Sequence, residues 1–439
     1  DRNLKGIQIS ARELKKMNGY YDALVPFKNQ LKCTDTLTAV WITVQCPSRV
    51  PVGKYHQTIK IEGSKHFTIQ LDYNVHHTTI PLKSSIPITV GVENRCVAEG
   101  LNDKEADKER QRWVDFVLSY RMTPVFGTQI TPERWQYEHS FSPWAWNDKR
   151  SIRLLNDRRY SCYMLPFFTL SENELASLLC NIQKKGKLKE SLFYIWDEPA
   201  YMEDYEQIKQ KVNIIRKYAS DARILTTFFC GPRNGPRKGD LYAVFDYLKH
   251  HIHVATISLA PCKGNEEEVQ HIRYKVPEGI DWWSYVCWQP GGNEPNFLLQ
   301  MKGIQQRAIM WRTWKNGSQG FLYWNCNIYH KRNPFTYITD MPHGDGILIY
   351  PGDILGRKGP IASARLERWR DGAEEMELLR LVEKNYSKEK ADTLLNIVYS
   401  SPLSFIEKAH NIPFFRKELL DQLDKTIPID YKLRITDFI

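Results

Sequence analysis

The chain changes its pattern of apolar and polar residues once, near residue 87. Before that point apolar side chains recur at every second position in three segments, at 36–46, 54–63 and 66–73, with turn residues between them. A period of two is typical of antiparallel strands that bury one face. The pattern therefore predicts a small antiparallel β-sandwich over residues 1–86.

From residue 87 short apolar runs alternate with amphipathic helical stretches. The apolar runs lie at 88–93, 122–128, 160–168, 192–198, 223–230, 253–260, 282–288 and 320–325. Helical patterns between them lie at 108–120, 171–185 and 203–219. Strands in regular alternation with helices predict an α/β fold, here a (β/α)8 TIM-type barrel over residues 87–380. A doubly wound open sheet is the alternative, but no Gly-rich phosphate turn follows the first run.

The helical pattern continues to the end of the chain. It predicts a helical C-terminal extension over residues 381–439 that packs on the barrel. The chain thus divides into a sandwich, a barrel and a helical tail.

The fourth apolar run ends in two adjacent carboxylates, in the segment FYIWDEP at 193–199. In a barrel, the C-terminal ends of the strands carry the chemistry, which places Asp197 and Glu198 at the candidate site. Two carboxylates with separate roles are the usual equipment of glycoside hydrolysis. The alternative is structural: Asp197 caps the next helix and Glu198 forms a salt bridge.

Aromatic residues are abundant, at 12% of the chain, and several fall at the ends of predicted strands. These are Trp196, Trp288, Tyr323 and Trp324. Sugars stack their flat C–H faces on such rings, although each ring has an alternative role in the core. The aromatic strand ends favour a carbohydrate site over a purely structural acid pair.

Charge and cysteine content limit which partners and which classes of protein are compatible with the sequence. The net charge of +10 is spread along the chain, without a nucleic-acid-binding motif, so a glycan partner is favoured over a nucleic acid. An anionic polysaccharide is compatible with this charge. The nine Cys include no C-x-x-C spacing, and no run reaches the ~18 apolar residues of a membrane span. The three His at 249–253 lack further ligands at defined positions, so we expect neither a metal nor a cofactor.

Four segments resemble the catalytic domain of glycoside hydrolase family 123, and they occur in the same order. They are FYIWDEP at 193–199, WWSYVCWQPGGNEPNF at 282–297, GFLYWNCN at 320–327 and YPG…GPIASARLERWRDGAEEMELL at 350–379. YYDALVPF at 20–27 resembles the segment that enters the N-terminal sandwich of that family.

The resemblance implies a retaining exo-β-N-acetylgalactosaminidase that uses substrate-assisted catalysis. It makes Glu198 the general acid/base, and Asp197 the residue that orients the 2-acetamido group as the nucleophile. It implies that Tyr285 and Tyr323 contact the acetamide, and that Trp288 and Trp324 form the wall of the sugar subsite. It also implies that Asn325 and Asn327 bind hydroxyls.

Two hypotheses compete with this one. The same acid pair could cleave another glycosidic linkage as an ordinary acid and nucleophile or base, or the barrel could bind glycans without catalysis. A secreted or periplasmic location is the expectation for a glycan-degrading enzyme. The sequence leaves the linkage, the natural polymer and the oligomeric state open.

Overall fold

The computed structural model describes residues 7–425, except 18, 29, 33–36, 48–49, 132–135, 330–333 and 335–341. The strands are β1 (Gln8–Met17), β2 (Tyr20–Pro26), β3 (Ala39–Gln45), β4 (Gly53–Ile61), β5 (Phe67–Val75), β6 (Ile88–Glu93), β7 (Thr123–Thr131), β8 (Gln136–Ser140), β9 (Tyr163–Met164), β10 (Ser191–Trp196), β11 (Ile224–Phe228), β12 (Val254–Ser258), β13 (Asp281–Val286), β14 (Gly320–Tyr323), β15 (Ile349–Pro351) and β16 (Pro360–Ala362). The helices are α1 (Asn94–Ala98), α2 (Asp103–Ser119), α3 (Lys149–Leu154), α4 (Glu172–Lys184), α5 (Met202–Arg216), α6 (Ala243–Leu248), α7 (Glu266–Lys275), α8 (Gly303–Lys315), α9 (Ala364–Asn385), α10 (Lys388–Leu395) and α11 (Ile412–Asp424).

A nine-stranded sheet in the order β8-β7-β6-β14-β13-β12-β11-β10-β9 forms the centre of this mixed α/β fold. Its neighbours pair in parallel, except for the antiparallel pair β7–β8. The strands are apolar on both faces, because one face points to the inside of the curved sheet and the other packs on the helices. Along β10, Leu192 and Tyr194 face the interior cluster, whereas Phe193 and Ile195 face the helices. A strand overlaps each of the predicted apolar runs.

The sheet is nearly closed, and the break lies between β7 and β9. Within the residues that the structure describes, no ladder joins these two strands. Strand β8 lies there instead, linked to β9 by a hydrogen bond from Phe141 N to Met164 O of 2.6 Å. At the other end of the break Thr123 Oγ1 and Ser161 Oγ lie 2.8 Å apart. An exact (β/α)8 barrel is therefore not confirmed.

The third predicted strand, at 160–168, is much shorter than expected. Only Tyr163–Met164 forms a ladder. Pro166 follows, and proline has no N–H to donate to a neighbouring strand. The β9 ladder is therefore short and ends before Pro166.

The N-terminal part contains a small antiparallel sheet, β2-β1-β3, and a separate two-stranded ladder, β4–β5. Strand β2 joins the main core through Ala23, Leu24 and Val25, which are buried. A sandwich of two packed sheets, as predicted, is not evident within the described part of residues 1–86. The sequence pattern found β3, β4 and β5 but not β1, which is polar on most of its length.

The long helix α9 fastens the C-terminal part to the barrel. Gly372 lets it approach α8 so closely that a Cβ there would lie 2.1 Å from Arg307 O. Across the same contact Arg307 Nε donates to Glu375 Oε2 at 2.9 Å. Helices α10 and α11 pack on α9 and contribute Leu395, Phe415 and other apolar residues to the core. No helix among the described residues has the length and apolar character needed to cross a membrane.

Candidate active site

A β-bulge at the end of β10 decides where the acid pair points. The register with β11 shifts by one residue between Tyr194 and Trp196, and a bulge of this kind re-aims the side chains that follow it. Tyr194 faces the barrel interior, but Trp196 faces outward, with its ring centre 5.6 Å from Lys211 Nζ on α5. Asp197 consequently turns to the same side as Tyr194.

Two hydroxyl groups hold the Asp197 carboxylate. Tyr194 Oη donates to Asp197 Oδ1 at 2.7 Å, and Thr227 Oγ1 at the end of β11 donates to the same oxygen at 2.6 Å. Thr227 Oγ1 also accepts from Glu198 N at 3.0 Å. Both of these bonds fall on Oδ1, and no hydrogen bond to Oδ2 is found among the described residues, which leaves Oδ2 available to a ligand in the cleft.

Glu198 has a strained backbone and a perturbed carboxyl group. Its φ of 47° lies in the left-handed region, which costs a side-chain-bearing residue about 1 kcal/mol or more. Burial and then the charge of Asp197 raise the pKa of Glu198 from an ordinary 4.5 to about 7, against the hydrogen bond from Tyr285 and the charge of Arg233. Tyr285 Oη donates to Glu198 Oε1. At neutral pH the carboxyl is therefore partly protonated, as a general acid must be.

The predicted aromatic wall after β14 depends on a carboxylate that the sequence did not single out. Trp324 Nε1 donates to Asp345 Oδ1 at 3.0 Å, and Tyr323 Oη lies 3.2 Å from the same oxygen. Tyr323 Oη also accepts from Gly346 N at 2.9 Å. Asp345 is only 2% exposed, and burial raises its pKa to about 6 against the bonds from Trp324 and Tyr323. The Tyr323 hydroxyl, expected to contact the substrate, is thus engaged within the protein.

The two predicted asparagines differ in position. Asn325 lines the cleft, and its Oδ1 accepts from Asn327 N at 2.9 Å. Asn327 is fully buried. Its Oδ1 accepts from Glu93 N at 2.8 Å and so holds the end of β6 in place. The two backbones pass so closely here that a Cβ at Gly91 would lie 1.9 Å from Trp324 O. Asn327 therefore supports the wall and is not among the residues that line the cleft.

A cleft of about 620 Å³, open to solvent, lies over the carboxyl ends of β6, β7, β10 and β14. Its lining includes Asp197, Tyr323, Trp324 and Asn325 from the predicted set. It also includes Tyr137 and His139 of β8, which the sequence did not indicate. The His139 ring stacks on Tyr194 at 4.3 Å between centroids, and burial lowers its pKa to about 3, so the imidazole is neutral at physiological pH.

Trp288 lies outside this lining. Its ring is 46% exposed and stacks on Phe229 with 6.5 Å between centroids. The structure thus brings Asp197, Glu198 and Tyr285 together, and Trp324 lines the same cleft as Asp197. Within the described residues no group of three or more His, Cys, Asp or Glu side chains is arranged to hold a metal ion.

This geometry suits acid–base chemistry on a ring-shaped polar ligand, in which a held carboxylate and a proton donor act side by side.

Comparison with known proteins gives the family. Residues 108–382 match the glycoside hydrolase 123 catalytic domain. That span is more than half of the chain and contains the acid pair, so the chain belongs to glycoside hydrolase family 123 and is a glycosidase by family.

A solved structure of the same family supports the fold. A family 123 glycoside hydrolase from Clostridium perfringens, studied for glycolipid glycan hydrolysis, is 14% identical with a TM-score of 0.63, over 95% of this chain and 85% of that chain. A β-D-glucuronidase from Dictyoglomus thermophilum is 9% identical over 83% of this chain and 64% of its own, with a TM-score of 0.38. A β-galacturonidase from Eisenbergiella tayi is 11% identical over 85% and 68%, with a TM-score of 0.39. The last two scores are too low to bear on fold or function. Among curated proteins, none matches the chain.

Proposed function

We propose that this protein is a retaining exo-glycosidase that removes β-linked N-acetylgalactosamine by substrate-assisted catalysis. The observation that carries the proposal is that two adjacent carboxyls have opposite environments. Asp197 accepts two hydroxyl hydrogen bonds, whereas burial and the Asp197 charge bring the pKa of Glu198 to about 7. A hydrogen-bonded carboxylate beside a carboxyl with a raised pKa is suited to separate acid and base roles.

In the proposed reaction the 2-acetamido N–H of the sugar donates to Asp197. The acetamide oxygen then attacks the anomeric carbon while Glu198 gives its proton to the glycosidic oxygen, and the leaving group departs with that proton. A cyclic oxazolinium ion remains, and the Asp197 carboxylate stabilises its positive charge. Glu198, now ionised, takes a proton from a water molecule that attacks the anomeric carbon and opens the oxazolinium ring. The product therefore keeps the β configuration.

The surrounding residues have supporting roles in this scheme. Trp324 lines the cleft beside Asp197 and offers a flat face to the sugar. Tyr285 donates to Glu198 and thus stabilises the carboxylate that forms after proton transfer. The related enzyme from Clostridium perfringens, studied for glycolipid glycan hydrolysis, supports a glycoconjugate substrate. A secreted or periplasmic location belongs to the same proposal.

The test is hydrolysis of aryl β-N-acetylgalactosaminide and aryl β-N-acetylglucosaminide by the wild-type protein, Asp197→Asn and Glu198→Gln. We expect turnover of the galactosaminide that both substitutions reduce by orders of magnitude. A thiazoline analogue of the oxazoline should inhibit in the micromolar range or better, because it mimics the intermediate. Absence of turnover on both sugars would refute the proposal, and turnover without thiazoline inhibition would replace it with an enzyme-nucleophile mechanism.

A further inference from the structure

We propose that the leaving-group side of the cleft selects a sugar that carries an anionic group, a carboxylate or a sulfate, through Arg233. This inference rests on the proposed function and extends it to the second sugar of the substrate. It is based on the position, charge and surroundings of the loop that follows β11.

The direction of the substrate follows from the roles of the two acids. Asp197 and Trp324 line the same cleft, so the sugar that carries the acetamide lies there. Glu198 protonates the bond to the leaving group and is not among the residues that line that cleft. The leaving sugar must therefore lie on the Glu198 side, near enough to Arg233 for its charge to lower the pKa of Glu198.

The loop that carries Arg233 is tied to the turn after the acid pair. Arg233 N donates to Ala200 O at 2.6 Å, and Met202 N donates to Asn234 Oδ1 at 2.9 Å. Gly235 sits so close to Met202 that a Cβ there would lie 2.8 Å from the Met202 Cγ. The backbone beside Arg233 is thus fixed relative to Glu198.

Arg233 and Arg237 lie in the same loop but differ in whether a carboxylate neutralises the guanidinium. Arg237, in the same loop, forms ion pairs with Asp240 and Asp246. For Arg233 no ion pair with a carboxylate is found in the described part of the chain, and its side chain is exposed. The Cys230 thiol and the Tyr201 hydroxyl lie beside it and raise its pKa. Neither group neutralises the guanidinium, so it is available to an anionic ligand.

Exposed aromatic rings complete a surface for a second sugar. Trp288 is 46% exposed and stacks on Phe229, with an angle of 15° between the rings. Tyr201, beside Arg233, is 48% exposed. Exposed rings can accept the face of a sugar, and a guanidinium without a carboxylate partner can bind an anionic group on it. Such a surface suits an anionic sugar better than a neutral one, because Arg binds carboxylate and sulfate groups through paired N–H donors. The overall charge of +10 would attract such a glycan as well.

The test compares two disaccharides that differ in one group. In each, N-acetylgalactosamine is β-linked to O4 of the second sugar, which is glucuronic acid in one and glucose in the other. We expect the wild-type protein to prefer the uronide in kcat/KM by about three- to tenfold, the range of one charge-assisted hydrogen bond at a partly exposed site. Arg233→Gln should bring this ratio close to one, Arg233→Lys should retain part of it, and added salt should reduce it. A third disaccharide with 6-O-sulfated glucose distinguishes sulfate from carboxylate recognition.

The ratio cancels any effect of Arg233 on Glu198, since both substrates use the same acid. Lys185→Gln is the matched control: it removes the same charge at an exposed position after α4, at the opposite end of the sheet, and should leave the ratio unchanged. A wild-type ratio of one, or a preference that survives Arg233→Gln, would overturn the inference. If aryl substrates are not turned over, the proposed function fails separately. Calorimetric binding of the two disaccharides to Glu198→Gln, with and without Arg233→Gln, then still decides the role of Arg233.

Discussion

Replacement of Glu198 by Gln should stabilise the protein, and increasingly so as the pH rises. The pKa of Glu198 lies at about 7 in the folded protein, compared with an ordinary 4.5. The folded state therefore holds this proton more tightly than the unfolded state does, and ionising the carboxyl costs the fold stability. The cost is absent below about pH 4.5, grows as the pH rises through the window between the two values, and is complete above about pH 7.

The magnitude follows from the two pKa values. At about 1.36 kcal/mol for each pKa unit, the gap between 4.5 and about 7 amounts to an order of 3 kcal/mol. Gln keeps the shape of the side chain and an oxygen that accepts from Tyr285, but it carries no charge. The difference in unfolding free energy between Glu198→Gln and the wild type should thus grow by about this amount between pH 4 and pH 8.

Urea unfolding of both proteins at several pH values measures the difference, and groups common to both cancel. Glu278→Gln, at an exposed position, controls for the removal of a carboxylate as such. A difference for Glu198→Gln that stays flat from pH 4 to pH 8 would refute the assignment of Glu198 as the raised-pKa acid. A difference that shrinks with pH would show that the environment favours the ionised form.

Substitutions at three further positions test the contacts around the acid pair. Tyr285→Phe removes a hydrogen bond that lowers the pKa of Glu198, so the alkaline limb of the pH profile of kcat/KM should move to higher pH; a move to lower pH would contradict this. Asp345→Ala removes the acceptor of Trp324 Nε1 and should lower kcat/KM about tenfold or more, with a change in tryptophan emission. Asp345→Asn keeps an acceptor oxygen and should retain most activity. Equal losses in the two variants would show that the charge of Asp345 matters rather than its hydrogen bond. Gly346→Ala places a Cβ 2.6 Å from the Trp324 ring at a φ of 69° and should destabilise the fold by about 1–3 kcal/mol in thermal unfolding; an unchanged melting temperature would argue against that packing.

The central strands could be located from the sequence because parallel strands buried on both faces appear as continuous apolar runs. The acid pair was visible for the same reason, since polar residues at the end of such a run interrupt it. The break between β7 and β9 was not visible, because pairing between strands depends on partners distant in sequence. Strand β8, which carries Tyr137 and His139 into the cleft, is too short and too polar to give a periodic signal.

Side-chain direction at the site was less accessible than residue position. Strict alternation along β10 would place Trp196 with Tyr194 and Asp197 on the opposite face. The bulge reverses that order, and its position depends on the pairing with β11 rather than on the residues of β10 alone. Arg233 gave no signal beyond a basic loop, because its proximity to Glu198 arises from hydrogen bonds between two loops.

The segment RLERWRDG at 365–372, part of the fourth segment that resembles the family, does not line the cleft, yet its contacts explain why it bears on the site. The Arg365 guanidinium is buried, pairs with Asp22 of β2 and donates to Gly344 O at 2.9 Å. A Cβ at Gly344 would lie 2.7 Å from the same guanidinium, so the loop fits closely around it. The next residue is Asp345, which holds Trp324. A continuous set of polar contacts therefore joins the N-terminal sheet to the wall of the cleft, and the position of that wall depends on parts of the chain more than 300 residues apart.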